Sequence, residues 1–105
     1  MAEALIRGIL RNGIALPTDV CVGEPLEERR DYLAQQHSIQ VTDNNTKAAS
    51  DGTLLVLAIK PQNLPQVLLE LRGTLTQGQV VLSIVAGARI ATIINGLNHN
   101  AVIRV

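Results

Sequence analysis

The stretch VLAIKPQNLPQVLLEL, residues 56–71, is where residue types and spacing first suggest chemistry. An apolar run ends abruptly in Lys60-Pro61, and helical spacing begins directly after it. Proline disfavours helical dihedrals at the residue before it, which keeps Lys60 extended, while its own fixed φ suits the first turn of a helix. A lysine at such a corner either stands in solvent or lays its stem on apolar surface and extends its ammonium into a crevice. Comparable corners follow the other apolar runs, at Gly23-Glu24, Asn44-Asn45 and Ala86-Gly87. The segment LEERRD, with Arg29 and Arg30 close behind Glu24, offers guanidinium groups for an anion. It reads equally well as a solvated helix face with pairs such as Glu27 and Arg30. Other reactive types carry less. His37 and His99 sit at polar helix exits without cysteines or carboxylates at metal-ligand spacing, and read as surface histidines. Cys21 lies in an apolar run and reads as a buried, inert thiol. Ser83 has no neighbouring histidine and reads as a strand-end hydrogen-bonding residue. No catalytic acid, base, nucleophile or metal ligand is nominated.

The elements that must position these corners alternate between two periodicities. ALIRGILRNG places Leu5, Ile6, Ile9 and Leu10 on one helical stripe opposite Arg7 and Arg11, with Asn12-Gly13 as a stop. DVCVG reads as a strand, LEERRDYLAQQ as a solvated helix, SIQVT as a short edge strand, and NNTKAASDG as a polar link with one helical turn. TLLVLAI is apolar at nearly every position, as expected of a parallel strand covered on both faces. Leu64, Val67, Leu68, Leu71 and Leu75 predict a helix running one turn past Leu71. QVVLSIVAG predicts a strand, ARIATIINGLN a helix with Ile90, Ile93, Ile94 and Leu97 on one face, and AVIRV a further strand. Alternating β and α units of this length predict an α/β fold with a parallel sheet and helices on both faces. Ligands of such sheets bind in the crevice outside the carboxyl ends of the strands, where the corners lie.

Composition narrows the field. The 105 residues suffice for one domain with one core and are too few for a cofactor domain plus a substrate domain. Nine basic and nine acidic residues balance, which argues against a nucleic-acid or anionic-membrane partner held by bulk charge. The longest apolar run, Leu54 to Ile59, is far below the roughly 20 residues of a membrane span, and no secretory leader is recognisable. A cytoplasmic protein is expected.

Four segments, in order and suitably spaced, carry a likeness: MAEALIRGIL, LAIKPQ, VVLSIVAGARIATI and the terminal AVIRV. Together they resemble the dinucleotide domain of pyrroline-5-carboxylate reductase, over nearly the whole chain. The resemblance implies a Rossmann-like fold lacking its first strand and glycine-rich loop, so that 1–105 forms a partial NAD(P)-binding domain without the C-terminal helical domain for substrate and dimerisation. Met1 and Ala2 match the end of the glycine-rich loop, Asn45 a cofactor-contacting asparagine, and Ala58, Ile59, Lys60 and Pro61 the segment along the nicotinamide ribose. Ile84, Val85 and Ala86 match the next strand end, where small side chains and carbonyls let the nicotinamide approach. After the second strand, Gly23 and Glu24 fall where an acidic residue binds the ribose hydroxyls of NAD, whereas Arg29 or Arg30 would pair with the 2′-phosphate of NADP. The resemblance favours NADP, with NAD as the alternative.

The implied reaction is NAD(P)H-dependent reduction of 1-pyrroline-5-carboxylate, an imino acid, to proline, in proline biosynthesis. A dinucleotide-binding chain without turnover, or another dehydrogenase of the superfamily, are the alternatives. A homo-oligomer would form through the missing C-terminal domain. In the strand order 3-2-1-4-5-6, omitting strand 1 leaves two backbone ladders unpaired, about 9 to 10 Å apart at the usual strand spacing, so marginal stability is expected.

Overall fold

The computed structural model describes residues 2–50 and 52–105. The chain divides into two compact units, the first running to Ala48 and the second Ala49–Val105.

In the first unit, helix α1 (Ala2–Arg11) buries Ile6 on the predicted stripe while Arg7 and Arg11 stay exposed. Its stop is the expected one. Asn12 donates from both its backbone N and its Nδ2 to the Gly8 carbonyl, and Gly13 takes φ +67, a left-handed value that glycine reaches without a Cβ penalty. A 3-10 turn, Pro17–Asp19, leads to β1 (Cys21–Gly23), α2 (Glu27–His37) and β2 (Gln40–Thr42). β1 and β2 pair in parallel, Cys21 opposite Gln40 and Gly23 opposite Thr42. The core of this unit is Ile6, Leu33 and Ile39, supported by Leu10, Val20, Val22 and Val41. Leu26, seven residues before Leu33, is exposed because it precedes the helix rather than lying on its inner face. Helix α3 (Asn45–Ser50) is longer than the single turn expected.

The second unit contains β3 (Leu54–Leu57), α4 (Leu64–Leu71), β4 (Val80–Ser83), α5 (Ile90–Leu97) and β5 (Val102–Arg104). Its three strands are parallel in the order β3-β4-β5, with Leu57 opposite Ser83 and Ser83 opposite Arg104. The fold is α/β and Rossmann-like. Within each sheet the strand order, all parallel, is that of neighbouring strands in a doubly wound sheet. Ala49, Leu57, Leu64, Leu68, Leu71, Val81, Val85, Ala88, Ile93 and Leu97 form the core.

Several expectations are corrected. β3 is not covered on both faces: Leu54 is 52% exposed, and only Leu57 is fully buried. The strand lies at the edge of its sheet, where Leu55 packs on the core but stays partly exposed. Helix α4 ends at Leu71 rather than a turn later. Gly73 at φ +76 breaks the helical path, and the Thr74 hydroxyl donates to the Leu71 carbonyl, satisfying an end group that another turn would have used. Leu75 still packs on the core, but from outside the helix. On α5, Ile93 and Leu97 are buried whereas Ile90, in the first turn, is 40% exposed. Cys21 is half-buried rather than buried, consistent with a strand paired on one side only.

Candidate functional site

The corners predicted from the sequence gather into two groups, one in each unit. In the second unit, β3 and β4 run side by side, so the segments leaving their carboxyl ends are neighbours. The Ile84 amide donates to the Leu57 carbonyl at 3.1 Å, extending the ladder to the threshold of the Ala58–Pro61 segment. The Val85 amide then donates to the Ser83 hydroxyl at 3.3 Å, which confirms the strand-end role of a fully buried Ser83. Val85 is buried and Ile84 half-buried, while Ala86 is exposed on a turn closed by Gly87 at φ +73. Across from them Lys60 has φ −72 and ψ 146, the extended conformation that the following proline imposes. Pro61 opens a 3-10 turn, Pro61–Asn63, ahead of α4, rather than the α-helix itself. Ala58 and Ile59 are half-buried; Lys60 and Pro61 are exposed. Among the described residues the Lys60 ammonium pairs with no carboxylate.

In the first unit, the ends of β1 and β2 bring together Gly23, Glu24 and Asn45. Asn44 and Asn45, indistinguishable by composition, have separate tasks. Asn44 caps α3, its Oδ1 accepting the Thr46 and Lys47 amides at 3.0 and 3.2 Å, while its own amide donates to the Thr42 hydroxyl. Asn45 instead lies over the end of β1: a Cβ on Gly23 would collide with Asn45 Oδ1 and touch Ala48 Cβ at 3.4 Å. Any other residue at 23 would have to push the Asn45 side chain aside. The Glu24 amide donates to the Thr42 carbonyl at 2.8 Å, and its carboxylate accepts the Leu26 amide at 3.2 Å. The Arg30 Nη1 donates to the carbonyls of Glu24 and Pro25, both at 2.9 Å, so the pair with Glu27 anticipated on a solvated face is not its role. Two loop carbonyls within reach of one guanidinium are the stronger partners.

Arg29 points elsewhere. Its Nη2 lies 3.5 Å from Glu3 Oε1, and its guanidinium carbon stands 5.0 Å from the centre of the Tyr32 ring. Arg29 and Tyr32 line a shallow groove with Leu26, Glu27 and Glu28. Glu3, next to Ala2 at the start of α1, also receives a 2.9 Å hydrogen bond from His37 Nε2 and faces Arg7 at 3.6 Å. The His37 bond above all holds the Glu3 carboxyl below its ordinary range, against desolvation and with help from Tyr32, Arg7 and Arg29. His37 is thus a half-buried anchor rather than a surface histidine. So is His99, whose Nε2 donates to the Gln79 carbonyl at 2.7 Å. Met1 lies outside the described residues.

Sequence reading missed Glu3, His37 and Gln79. The 34-residue separation of Glu3 and His37 leaves no local pattern. Gln79, 3% exposed inside QVVLS, had one available signal: a polar residue entering an apolar run.

Among known proteins, the family described as NADP oxidoreductase coenzyme F420-dependent matches residues 1–87. The chain belongs to this family. Within it, the resemblance to pyrroline-5-carboxylate reductases holds. The enzyme of that name from Synechocystis sp. is 38% identical over 104 residues, covering 99% of this chain and 39% of its own length. That from Methanosarcina acetivorans is 32% identical, covering 88% and 34%. The chain therefore spans little more than a third of these relatives. The structure of a pyrroline-5-carboxylate reductase from Coxiella burnetii superposes with a TM-score of 0.90 at 25% identity, over 98% of this chain and 38% of that one. A Plasmodium falciparum pyrroline carboxylate reductase, solved with NADP bound, gives a TM-score of 0.75 at 20% identity, a likeness of fold. No helix among the described residues is long and apolar enough to cross a membrane.

Proposed function

We propose that the chain binds a nicotinamide dinucleotide, NADP in preference to NAD, along the carboxyl ends of its strands, and that the protein it forms reduces 1-pyrroline-5-carboxylate to proline. The observation that carries the reading is the likeness to pyrroline-5-carboxylate reductases over 88–99% of this chain, joined to corners that fall at strand ends. The residues suit such a ligand. Ala86 leaves backbone accessible, Gly23 lets Asn45 close over the end of β1, Ala58 is small, and Lys60 and Arg29 offer cations to phosphates. In this reading Ala2 serves the pyrophosphate end, Gly23, Glu24, Arg29 and Asn45 serve the adenosine side, and residues 58–61 and 84–86 serve the nicotinamide side.

When bound, the reduced nicotinamide supplies the hydride that saturates the C=N bond. The work of this chain is placement: backbone and small side chains bring the reacting ring close, and no protein nucleophile is required. Imino-acid selection and any oligomer are assigned to parts of the protein beyond these residues.

The test is calorimetric titration of the full-length protein with NADPH, with NADH as competitor, followed by NADPH oxidation on adding 1-pyrroline-5-carboxylate. Binding with turnover supports the whole reading. Binding without turnover retains the dinucleotide site and overturns the reductase. Failure to bind either nucleotide overturns both.

A further inference from the structure

The proposed site presents two adjacent arginines at its adenosine end, and their surroundings differ. Arg30 is half-buried and turned back across the start of α2, where its Nη1 satisfies the carbonyls of Glu24 and Pro25 at 2.9 Å each. Its own amide makes the first helical bond, to the Leu26 carbonyl at 2.9 Å. The same short loop is tied at the Glu24 amide, by the Thr42 carbonyl, and at the Glu24 carboxylate, by the Leu26 amide. The Glu24 amide, carbonyl and one carboxylate oxygen are thus all engaged. Arg29 has a 40% exposed side chain that lines the groove with Tyr32, and its only acidic partner among the described residues is Glu3 at 3.5 Å, beyond direct hydrogen-bond distance.

We infer that Arg30 is a positioning residue, holding the loop 24–26 in the shape that the adenosine end of a dinucleotide meets, and that the 2′-phosphate is left to Arg29. Moving Arg30 onto a phosphate would strip two loop carbonyls of a charged donor, whereas Arg29 exchanges a long pair with Glu3 for a doubly charged ligand, and Glu3 keeps His37 and Arg7. Loop positioning acts on both dinucleotides alike; phosphate contact acts on one. This inference rests on the dinucleotide reading above.

The test measures dissociation constants of the full-length protein for NADPH and NADH separately, in wild type, Arg30→Met, Arg30→Lys and Arg29→Met. Arg30→Met is expected to weaken both nucleotides by a common factor, about three- to tenfold, the worth of one or two hydrogen bonds, leaving their ratio unchanged. Because both carbonyl bonds come from one nitrogen, Arg30→Lys should recover part of this loss and also serves if Arg30→Met does not fold. Arg29→Met is expected to weaken NADPH by at least roughly tenfold while sparing NADH. Selective loss of NADPH in Arg30→Met, or no change in either constant, overturns the inference. A wild type that binds neither nucleotide instead brings down the dinucleotide reading itself, an outcome visible before any variant is compared.

Discussion

Glu3 is faced by His37, Arg7 and Arg29, with Tyr32 beside them. Its carboxyl is held below the ordinary value of 4.5, first by the His37 hydrogen bond. A lowered folded-state value means that the carboxylate stabilises the fold above about 4.5 and that this contribution is lost as pH falls through the lower, folded value. Glu3→Gln should therefore be less stable than wild type near neutrality, and the gap should close in acid, as read from urea melts between pH 3 and 7. A gap independent of pH would contradict the assignment. Gln79 makes the second residue-scale case. Its Nε2 donates to the carbonyls of Ala49 and Gly52 at 2.6 Å each, and its Oε1 accepts the Thr76 amide at 2.8 Å. Gln79→Leu strands three backbone groups at a buried position, and a loss of about 1–3 kcal/mol is expected in chemical denaturation. Neither role is visible in the sequence, because each is made with residues that only the folded chain brings near.

At the scale of elements, two helical glycines separate backbone cost from packing. Gly8 lies inside α1 with open space where a Cβ would be, so Gly8→Ala removes only the entropic penalty of glycine and should stabilise by about 0.5–1 kcal/mol. Gly96 lies inside α5, where a Cβ would stand 2.7 Å from Leu68 Cδ1 and 3.1 Å from Leu68 Cβ on α4. Leu68 is buried and has little room to yield. Overpacking of about 1–3 kcal/mol then exceeds the propensity gain, and Gly96→Ala should destabilise by about 1 kcal/mol. Opposite signs for the same substitution, measured by urea melts, are the expected result; equal signs would mean that α4 and α5 do not approach as closely as described. Arg72 reinforces that contact by donating from α4's end to the carbonyls of Asn95 and Gly96 on α5. The helices themselves were legible from apolar spacing, but their ends less so. Leu75 continues the apolar period, but the backbone leaves the helix at Arg72 (ψ 125) and Gly73, and the Thr74 hydroxyl takes up the Leu71 carbonyl.

At the scale of the whole molecule, the chain carries two cores of unequal size. Among the described residues one comprises three buried side chains, the other ten, and β4 alone is paired on both sides. Buried apolar contact sets the free energy of local opening. Native-state hydrogen exchange should therefore protect the Val81 and Ile84 amides, bonded to Ala101 and Leu57, more strongly than those of Glu24 and Gln40, bonded to Thr42 and Val20. Equal protection of the two sets would show that one cooperative unit governs both. By itself the sequence determined the alternation of strands and helices, the extended Lys60 and the corners at strand ends, because dihedral limits and apolar period act between near neighbours. It also carried the family likeness, since the matching segments are contiguous. Only the tertiary structure decided which of two adjacent asparagines caps α3, which of two adjacent arginines holds the loop after β1, and that both histidines are anchors. Those choices depend on partners that lie far along the chain or on the backbone, where side-chain spacing gives no signal.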